Sequence, residues 1–202
     1  MGVSAELKRI AVLCSGSGTN LQALIDAEGA GKLGGGSIAL VVASKSGIVA
    51  LERAATHGIA SVIMDKRNYD NNEIFDKNLC NYLKQEKIDL IVTAGYMQIL
   101  GQQVLSTYEG RIVNVHPSLI PSFCGKGFYG LRVHRAALDY GVKITGATVH
   151  IVNEIVDGGR ILSQKAVEIK PNDTPETLQK RVMEEAEWVI LPQAVAELCN
   201  SL

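Results

Sequence analysis

Residues 112–118 read Ile-Val-Asn-Val-His-Pro-Ser, a short apolar strand that stops at a proline. Side chains alternate along a strand, which places Asn114 and His116 on one face near its carboxyl end. Open α/β sheets bind their ligands at the carboxyl ends of their strands. An amide and an imidazole directed at the same point can hold a developing oxyanion. A lone histidine in such a position is more often tied to a backbone carbonyl, so this stretch by itself leaves both interpretations open.

Strand and helix patterns alternate around this stretch. Apolar runs of strand length recur at residues 9–14, 38–43, 59–64, 89–94, 146–152 and 160–169. Helical periodicity separates several of them, at residues 49–57, 73–85 and 102–108. This alternation predicts an α/β, Rossmann-like fold, with a mostly parallel twisted sheet, right-handed crossovers and flanking helices. The last two runs predict an antiparallel strand pair toward the C-terminus.

The C-terminal part of the chain carries clear helix signals. A short helix is expected at residues 134–139. Thr174 and Pro175 are typical of an N-cap and a first helical residue, so a helix is predicted to begin there. Pro192 is expected to bend or restart that helix, because proline has no backbone N–H.

Length and composition favour one domain. The chain has 202 residues, of which 47% are hydrophobic and 20% charged, enough to bury a substantial core. We therefore predict a single domain, 1–202, with an N-terminal half at residues 1–110 and a C-terminal half at residues 111–202. The formal net charge of −1 disfavours nucleic acid as a partner. No apolar run approaches the roughly 18 residues of a membrane span, which predicts no membrane partner.

The cysteines and the first residues indicate a reducing compartment. The chain begins MGVSAELKRI, without the apolar stretch of a secretory signal. The four cysteines are far apart and have no metal-ligand spacing: Cys14, Cys80, Cys124 and Cys199. We predict a cytoplasmic protein with free thiols and no bound metal.

A glycine turn follows the first predicted strand. Residues 15–20 read Ser-Gly-Ser-Gly-Thr-Asn, and a helical pattern begins directly afterwards. A strand, a glycine turn and a helix together present backbone N–H groups and a helix dipole to a phosphate. A dinucleotide site is disfavoured, because Leu21 stands where the third glycine of that fingerprint belongs. A phosphate site and a tight turn that merely needs glycine both remain open.

Two further segments stand out after residue 116. Residues 122–130 contain three glycines and predict a loop, of the kind that often forms a lid beside a strand end. Asp157 precedes Gly158 and Gly159, a pattern that usually reflects turn chemistry alone. His150, within a predicted strand, is expected to pack or to hydrogen-bond in a structural role.

Four motifs together resemble a known enzyme family. They are SGSGTNLQAL at 15–24, AGYMQIL at 94–100, IVNVHPSLIP at 112–121 and GATVHIVNEIVDGG at 146–159. In this order and along essentially the whole chain, they closely resemble the folate-dependent phosphoribosylglycinamide formyltransferases. The resemblance implies transfer of a formyl group from 10-formyltetrahydrofolate to the amino group of glycinamide ribonucleotide, in de novo purine biosynthesis. Its partners would then be these small molecules, and the protein would be a monomer or a homodimer.

The resemblance also implies site residues. The catalytic residues would be Asn114, His116 and Asp157. The ribonucleotide phosphate would bind at Gly18, Thr19 and Asn20. A glutamate in the C-terminal helix would contact the ribonucleotide; alignment favours Glu187, but a one-residue slip near Arg181 leaves Glu184 open. The folate would contact two segments and the catalytic amide, at Met97, Gln98, Ile99, Leu100, Asn153, Glu154, Ile155, Val156, Asp157 and Asn114.

This chemistry suits the residue types. The substrate amine is itself the nucleophile, so no serine or cysteine triad is required. His116 as a donor and the Asn114 amide would stabilise the oxyanion formed at the formyl carbon. Asp157 would hold His116 in the donor tautomer and favour its protonated ring. No metal is implied.

Some residues depart from the family pattern, and other functions are alternatives. Gln98 and Asn72 stand where many relatives have arginine, and the 122–130 loop is longer than in short members. Formyltetrahydrofolate deformylase is a rival, but Pro117 and the early first strand argue against it. Methionyl-tRNA formyltransferase requires a C-terminal RNA-binding domain that this sequence does not show. A non-catalytic phosphate-binding module would leave Asn114, His116 and Asp157 without a common purpose.

Overall fold

The computed structural model describes residues 7–202, which form seven strands and seven α-helices. The strands are β1 (Lys8–Cys14), β2 (Gly36–Ala43), β3 (Ala60–Ile63), β4 (Leu90–Ala94), β5 (Ile112–His116), β6 (Ile144–Ile151) and β7 (Ile161–Glu168). The helices are α1 (Thr19–Gly29), α2 (Val49–Thr56), α3 (Asn72–Gln85), α4 (Gln102–Thr107), α5 (Leu131–Tyr140), α6 (Pro175–Val182) and α7 (Trp188–Ser201). The sheet order is β3-β2-β1-β4-β5-β6-β7.

Backbone contacts divide the chain into two compact units, with the division inside β5. The first unit runs up to Val113 and includes Val195–Leu202. Its strands pair in parallel, β3 with β2, β2 with β1 and β1 with β4. The last five residues of β1 and all of β4 are buried, as expected for central strands covered on both faces.

The second unit comprises Asn114–Ala194. In it β6 and β7 pair antiparallel, with Ile144 opposite Glu168 at one end of the ladder. The predicted strand pair is therefore confirmed. Strand β6 is buried from Thr145 to Ile151, whereas β7 is largely exposed.

The predicted start of the C-terminal helix is confirmed. Thr174 caps α6 through a capping box with Thr177, and Pro175 occupies the first turn. The irregular turn lies upstream of Pro192, however, as a π-helical turn at Met183–Glu187, and Pro192 itself stands inside α7. Proline has no N–H to donate to the carbonyl four residues earlier, that of Trp188, which directly follows the π-helical turn.

A buried carboxylate organises the segment after β4. Asp76 on α3 accepts hydrogen bonds from the backbone N–H groups of Gly101, Gln103 and Val104 at 2.8, 2.8 and 3.4 Å. These groups include the otherwise unsatisfied donors at the start of α4. A Cβ at Gly101 would lie 2.4 Å from the Asp76 carboxyl carbon, so only glycine allows this approach.

The helix predicted at residues 134–139 is present and is longer in the structure, where α5 spans Leu131–Tyr140. Within residues 7–202, no helix is both long enough and apolar enough to span a membrane.

Candidate active site

Four polar side chains of the second unit, Asp157 among them, lie close together. The His116 Nδ1 atom lies 3.6 Å from one Asp157 carboxylate oxygen, and the His150 Nε2 atom lies 3.7 Å from the other. The Asn114 amide nitrogen is 3.1 Å from His150 Nε2. The sequence predicted three of these residues. The structure brings those three together and adds His150.

His116 is held on both of its ring nitrogens. It is 5% exposed, and its Nε2 lies 2.9 Å from the carbonyl oxygen of Phe123. A carbonyl only accepts, so Nε2 carries a proton. The other nitrogen faces the Asp157 carboxylate at ion-pair distance, somewhat longer than a direct hydrogen bond. His116 therefore has a polar neighbour at each ring nitrogen, the Phe123 carbonyl at Nε2 and the Asp157 carboxylate at Nδ1.

Asp157 is held as a carboxylate. One of its oxygens accepts a hydrogen bond from the Gly125 backbone N–H at 2.8 Å. Burial alone would raise the pKa of the Asp157 carboxyl, but its contacts with His150, the Gly125 N–H and the His116 ring outweigh burial and lower that pKa. A negative charge is therefore maintained beside His116 at neutral pH.

The glycines after Asp157 are required by close packing. A Cβ at Gly159 would lie 1.7 Å from the Ile151 carbonyl oxygen, so no side chain fits there. Asp157 itself has a φ of 56°, in the left-handed region that aspartate and asparagine tolerate better than most residues. Asp157 and the two glycines form a turn, as the sequence pattern indicates, and this turn also directs the Asp157 side chain toward His116.

His150 orients the Asn114 amide. Its Nδ1 lies 2.9 Å from the carbonyl oxygen of Ile151, so that nitrogen carries a proton. The Asn114 amide nitrogen contacts the other ring nitrogen, Nε2, at 3.1 Å. Sequence reasoning left His150 out of the site. Strand alternation along β6 did not distinguish it from other buried side chains.

The loop at residues 122–130 contacts both members of the histidine–aspartate pair through its backbone. Phe123 supplies the carbonyl that His116 contacts, and Gly125 supplies the N–H that Asp157 accepts. The start of the loop is fixed by Thr148 on β6, which accepts from the Ile120 N–H and donates to the Ser118 carbonyl. The predicted loop thus forms one wall of the site.

A third buried histidine lies close enough to be influenced by the charge on His116. His134 on α5 is fully buried, and in the described part of the chain neither of its ring nitrogens has a hydrogen-bond partner. Burial, together with the charge on His116, lowers the pKa of His134 to about 4. His134 is therefore neutral at physiological pH.

The glycine turn of the first unit has the geometry expected of a phosphate site. Gly18 has a φ of 69° and precedes α1, and a Cβ there would lie 2.8 Å from that of Ala50. The Arg53 Nε atom donates to the Ser17 carbonyl at 2.9 Å and braces the turn. The N-cap residue of α1 is Gly18, which has no side chain to cap the helix, and a helix N-terminus of this kind suits an anion. Gly18, Thr19 and Asn20 lie at this helix start.

The two predicted folate segments each expose apolar side chains. In the first unit Met97 and Ile99 are 54% and 72% exposed, and in the second unit Ile155 and Val156 are 67% and 47% exposed. The Met97 backbone N–H is bonded to Ser15 Oγ at 2.9 Å, which fixes the first segment. Exposed apolar loop residues of this kind suit a planar, largely apolar ligand.

The structure separates the two candidate glutamates. Glu187 is 6% exposed, whereas Glu184 is exposed and lies 3.8 Å from Lys180. Both lie in the π-helical turn, which holds more residues per turn than an α-helix. The contact of Glu187 with the ribonucleotide stays a prediction. Across residues 7–202, no group of three or more His, Cys, Asp or Glu side chains is arranged to hold a metal ion.

Comparison with known proteins defines the family. A model described as formyl transferase matches residues 8–195. The chain belongs to the formyl transferase family. A solved structure of glycinamide ribonucleotide transformylase 1 from Symbiobacterium toebii superposes on this formyl transferase with a TM-score of 0.92, at 37% identity over 100% of this chain and 92% of that one. The predicted fold class and family resemblance are confirmed.

Curated relatives of this formyl transferase carry purine-biosynthetic names. It is 40% identical over 199 residues to the trifunctional purine biosynthetic protein adenosine-3 of Drosophila melanogaster, covering 98% of this chain. It is 35% identical over 194 residues to the chloroplastic phosphoribosylglycinamide formyltransferase of Arabidopsis thaliana, covering 96% of this chain. The chain spans 14% of the length of the former and 66% of the latter.

Proposed function

We propose that this formyl transferase moves the formyl group of 10-formyltetrahydrofolate to the amino group of N1-(5-phospho-D-ribosyl)glycinamide. The products are formylglycinamide ribonucleotide and tetrahydrofolate, in de novo purine biosynthesis. The observation that carries the proposal is the meeting of Asn114, His116 and Asp157 in a chain of this family. The names of its relatives and the geometry of the glycine turn support the choice of acceptor.

In this proposal the folate supplies the formyl group. The protein supplies hydrogen-bond donors and the negative charge of Asp157. His116 donates an N–H to the formyl oxygen as negative charge develops there. Both of its ring nitrogens have polar neighbours in the structure, so one of these must give way. The Phe123 carbonyl is the exchangeable one, because Asp157 neutralises the ring charge and the carbonyl does not.

Asn114, the glycine turn and Glu187 contact the substrates in this proposal. The Asn114 amide, oriented by His150, contacts the reacting formyl group. The N–H groups at Gly18, Thr19 and Asn20 hold the ribonucleotide phosphate. Glu187 contacts the ribonucleotide, and the Met97–Leu100 and Asn153–Asp157 segments hold the folate.

Dependence on the acceptor tests this proposal. Purified protein is expected to form tetrahydrofolate from 10-formyltetrahydrofolate only when glycinamide ribonucleotide is added, because the substrate amine is the nucleophile. Chromatography of the folate and ribonucleotide products measures the reaction. Equal turnover without the ribonucleotide would mean that water is the acceptor, as in a deformylase, and would refute the proposal.

Replacement of His150 is expected to slow turnover by about a hundredfold, within the range for losing one oriented oxyanion contact. His150→Phe keeps a planar ring of similar size but removes the ring nitrogen that contacts the Asn114 amide. His150→Gln, which restores a polar side chain, is expected to recover part of the lost rate. Steady-state kcat and thermal unfolding are compared for both variants. A fully active and normally stable His150→Phe protein would show that Asn114 needs no such orientation.

We also propose a cytoplasmic protein, a monomer or a homodimer, whose partners are these small molecules and which acts without a metal. Direct attack by an amine, assisted by an imidazolium donor, supports the last point because it needs no activated water.

A further inference from the structure

A glutamine on the outermost strand of the second unit reaches the segment that follows β5. Gln164 lies on β7, at the edge of the sheet, directly opposite Thr148 in the ladder between β6 and β7. Its side chain is exposed, yet its Nε2 atom donates to the Ile120 carbonyl at 3.0 Å and to Thr148 Oγ1 at 2.9 Å. A carbonyl only accepts, so the nitrogen of the Gln164 amide must face Ile120.

The Thr148 hydroxyl uses its full hydrogen-bonding capacity. It accepts from the Ile120 N–H at 3.0 Å and from Gln164, and it donates to the Ser118 carbonyl at 2.6 Å. A hydroxyl has one proton and two lone pairs, so no capacity is left over. Thr148 and Ser118 are both fully buried, where water does not replace a lost partner. Loss of the Gln164 amide would therefore remove a donor from Thr148 and from the Ile120 carbonyl together.

The segment held by Gln164 and Thr148 is a closed turn at residues 118–122. The Ser122 N–H donates to the Leu119 carbonyl at 3.0 Å, and the Ser118 hydroxyl donates to the Ser122 carbonyl at 2.5 Å. Hydrogen bonds within the turn fix its shape, whereas the bonds to Thr148 and Gln164 fix its position on the β6–β7 pair. The turn therefore moves only if these anchoring bonds to the sheet are weakened.

Two backbone groups just beyond this turn contact the candidate catalytic residues. The Phe123 carbonyl lies 2.9 Å from His116 Nε2, and the Gly125 N–H donates to Asp157 at 2.8 Å. Neither Phe123 nor Gly125 belongs to a helix or a strand, so their positions depend on how the ends of the loop are held. Phe123 has a φ of 50°, in the left-handed region that bulky residues rarely adopt, and its surroundings must hold it there.

We propose that Gln164 is a positioning residue for formyl transfer, which acts through Thr148 and the 118–122 turn on the loop backbone at His116 and Asp157. The inference rests on the proposed function for its effect on the rate. Gln164 itself touches neither His116 nor Asp157. Its amide holds the turn, the turn holds the start of the loop, and the loop supplies the backbone groups around the reacting side chains. Small displacements of such groups slow a reaction strongly, because catalysis depends on their geometry.

Steady-state kinetics test the effect on the rate. Gln164→Met keeps the length of the side chain and removes the N–H donor, and it is expected to lower kcat about tenfold through misplacement of the loop backbone. KM for the ribonucleotide is expected to stay within about twofold of wild type, because the glycine turn is unchanged. Gln164→Lys restores an N–H donor and is expected to recover most of kcat. Lys165→Met, at the neighbouring exposed residue on the other face of β7, is the matched control and is expected to behave as wild type.

Amide hydrogen exchange, followed by NMR without any substrate, tests the structural step. In Gln164→Met the Gly125 amide proton is expected to exchange at least about tenfold faster than in wild type, because its bond to Asp157 opens more often. The amide protons of Val12 and Val92, in the central strands β1 and β4, are expected to keep their wild-type rates.

Three results would overturn the inference. They are an unchanged Gly125 exchange rate in Gln164→Met, an equal acceleration at Val12 and Val92, which would mean general destabilisation, and a Gln164→Lys protein as slow as Gln164→Met. Failure of the proposed function has a different signature. The wild-type protein would then show no ribonucleotide-dependent turnover, while Gly125 exchange would still respond to the loss of the Gln164 amide.

Discussion

Replacing Asp157 by asparagine is expected to lower kcat by about a thousandfold, within the range for loss of one donor to a developing oxyanion. The amide keeps an oxygen for the Gly125 N–H, and asparagine tolerates the left-handed backbone at this position. It removes the negative charge 3.6 Å from His116, so the imidazolium that donates to the formyl oxygen is no longer stabilised. Initial rates with both substrates, at saturating ribonucleotide, measure the loss.

Two observations complete the Asp157 experiment. Ribonucleotide binding, measured by titration, is expected to stay near the wild-type value, because the glycine turn that holds the phosphate is unchanged. Asp139→Asn, at an exposed aspartate on α5, is the matched control and is expected to retain full activity. A kcat within tenfold of wild type would show that Asp157 is not part of the catalytic machinery, and loss of ribonucleotide binding would assign it a structural role.

The free energy of unfolding is expected to fall between pH 6.5 and pH 4 by about 3 kcal/mol less in the His134→Leu variant than in wild type. The pKa of His134 falls from 6.5 to about 4 because of burial and the charge on His116. In that pH window the unfolded chain binds a proton at this residue and the folded chain does not. Acidification therefore favours unfolding, by roughly 1.4 kcal/mol for each pKa unit of the shift. Leucine removes this proton uptake.

Urea unfolding at several pH values measures the effect. The free energy of unfolding of wild type is expected to fall as the pH decreases from 6.5 to 4, and that of His134→Leu to fall less steeply. At pH 7 the variant is expected to be at least as stable, because the two unpartnered ring nitrogens are gone. His57→Leu, at an exposed histidine, should keep the wild-type slope. Identical slopes for wild type and His134→Leu would mean that His134 is protonated in the folded state.

The sequence anticipated most of the fold because local signals agreed with one another. Buried central strands read as continuous apolar runs, and the cap at Thr174 and Pro175 marks a helix start. Pro192 was expected to bend or restart the helix. It stands inside α7, and the irregular turn lies upstream, at Met183–Glu187.

The sequence predicted only part of the candidate site. Asn114 and His116 are two residues apart on one strand, so the pattern alone placed them on a common face. Asp157 looked like turn chemistry, and only the family resemblance connected it with His116. His150 was assigned a structural role because a buried histidine within a strand gives no signal of its partner. The Phe123 and Gly125 contacts are made by backbone atoms, which no side-chain pattern reports.

The sequence by itself determined the α/β class, the strand face that carries Asn114 and His116, and the family, since these follow from periodicity and from ordered motifs. The tertiary structure decided how His116 is held, with a backbone carbonyl on one nitrogen and the Asp157 carboxylate facing the other. It also buried Glu187 and left Glu184 exposed. The physical reason is the same in each case: protonation and orientation depend on atoms that packing brings together from distant parts of the chain.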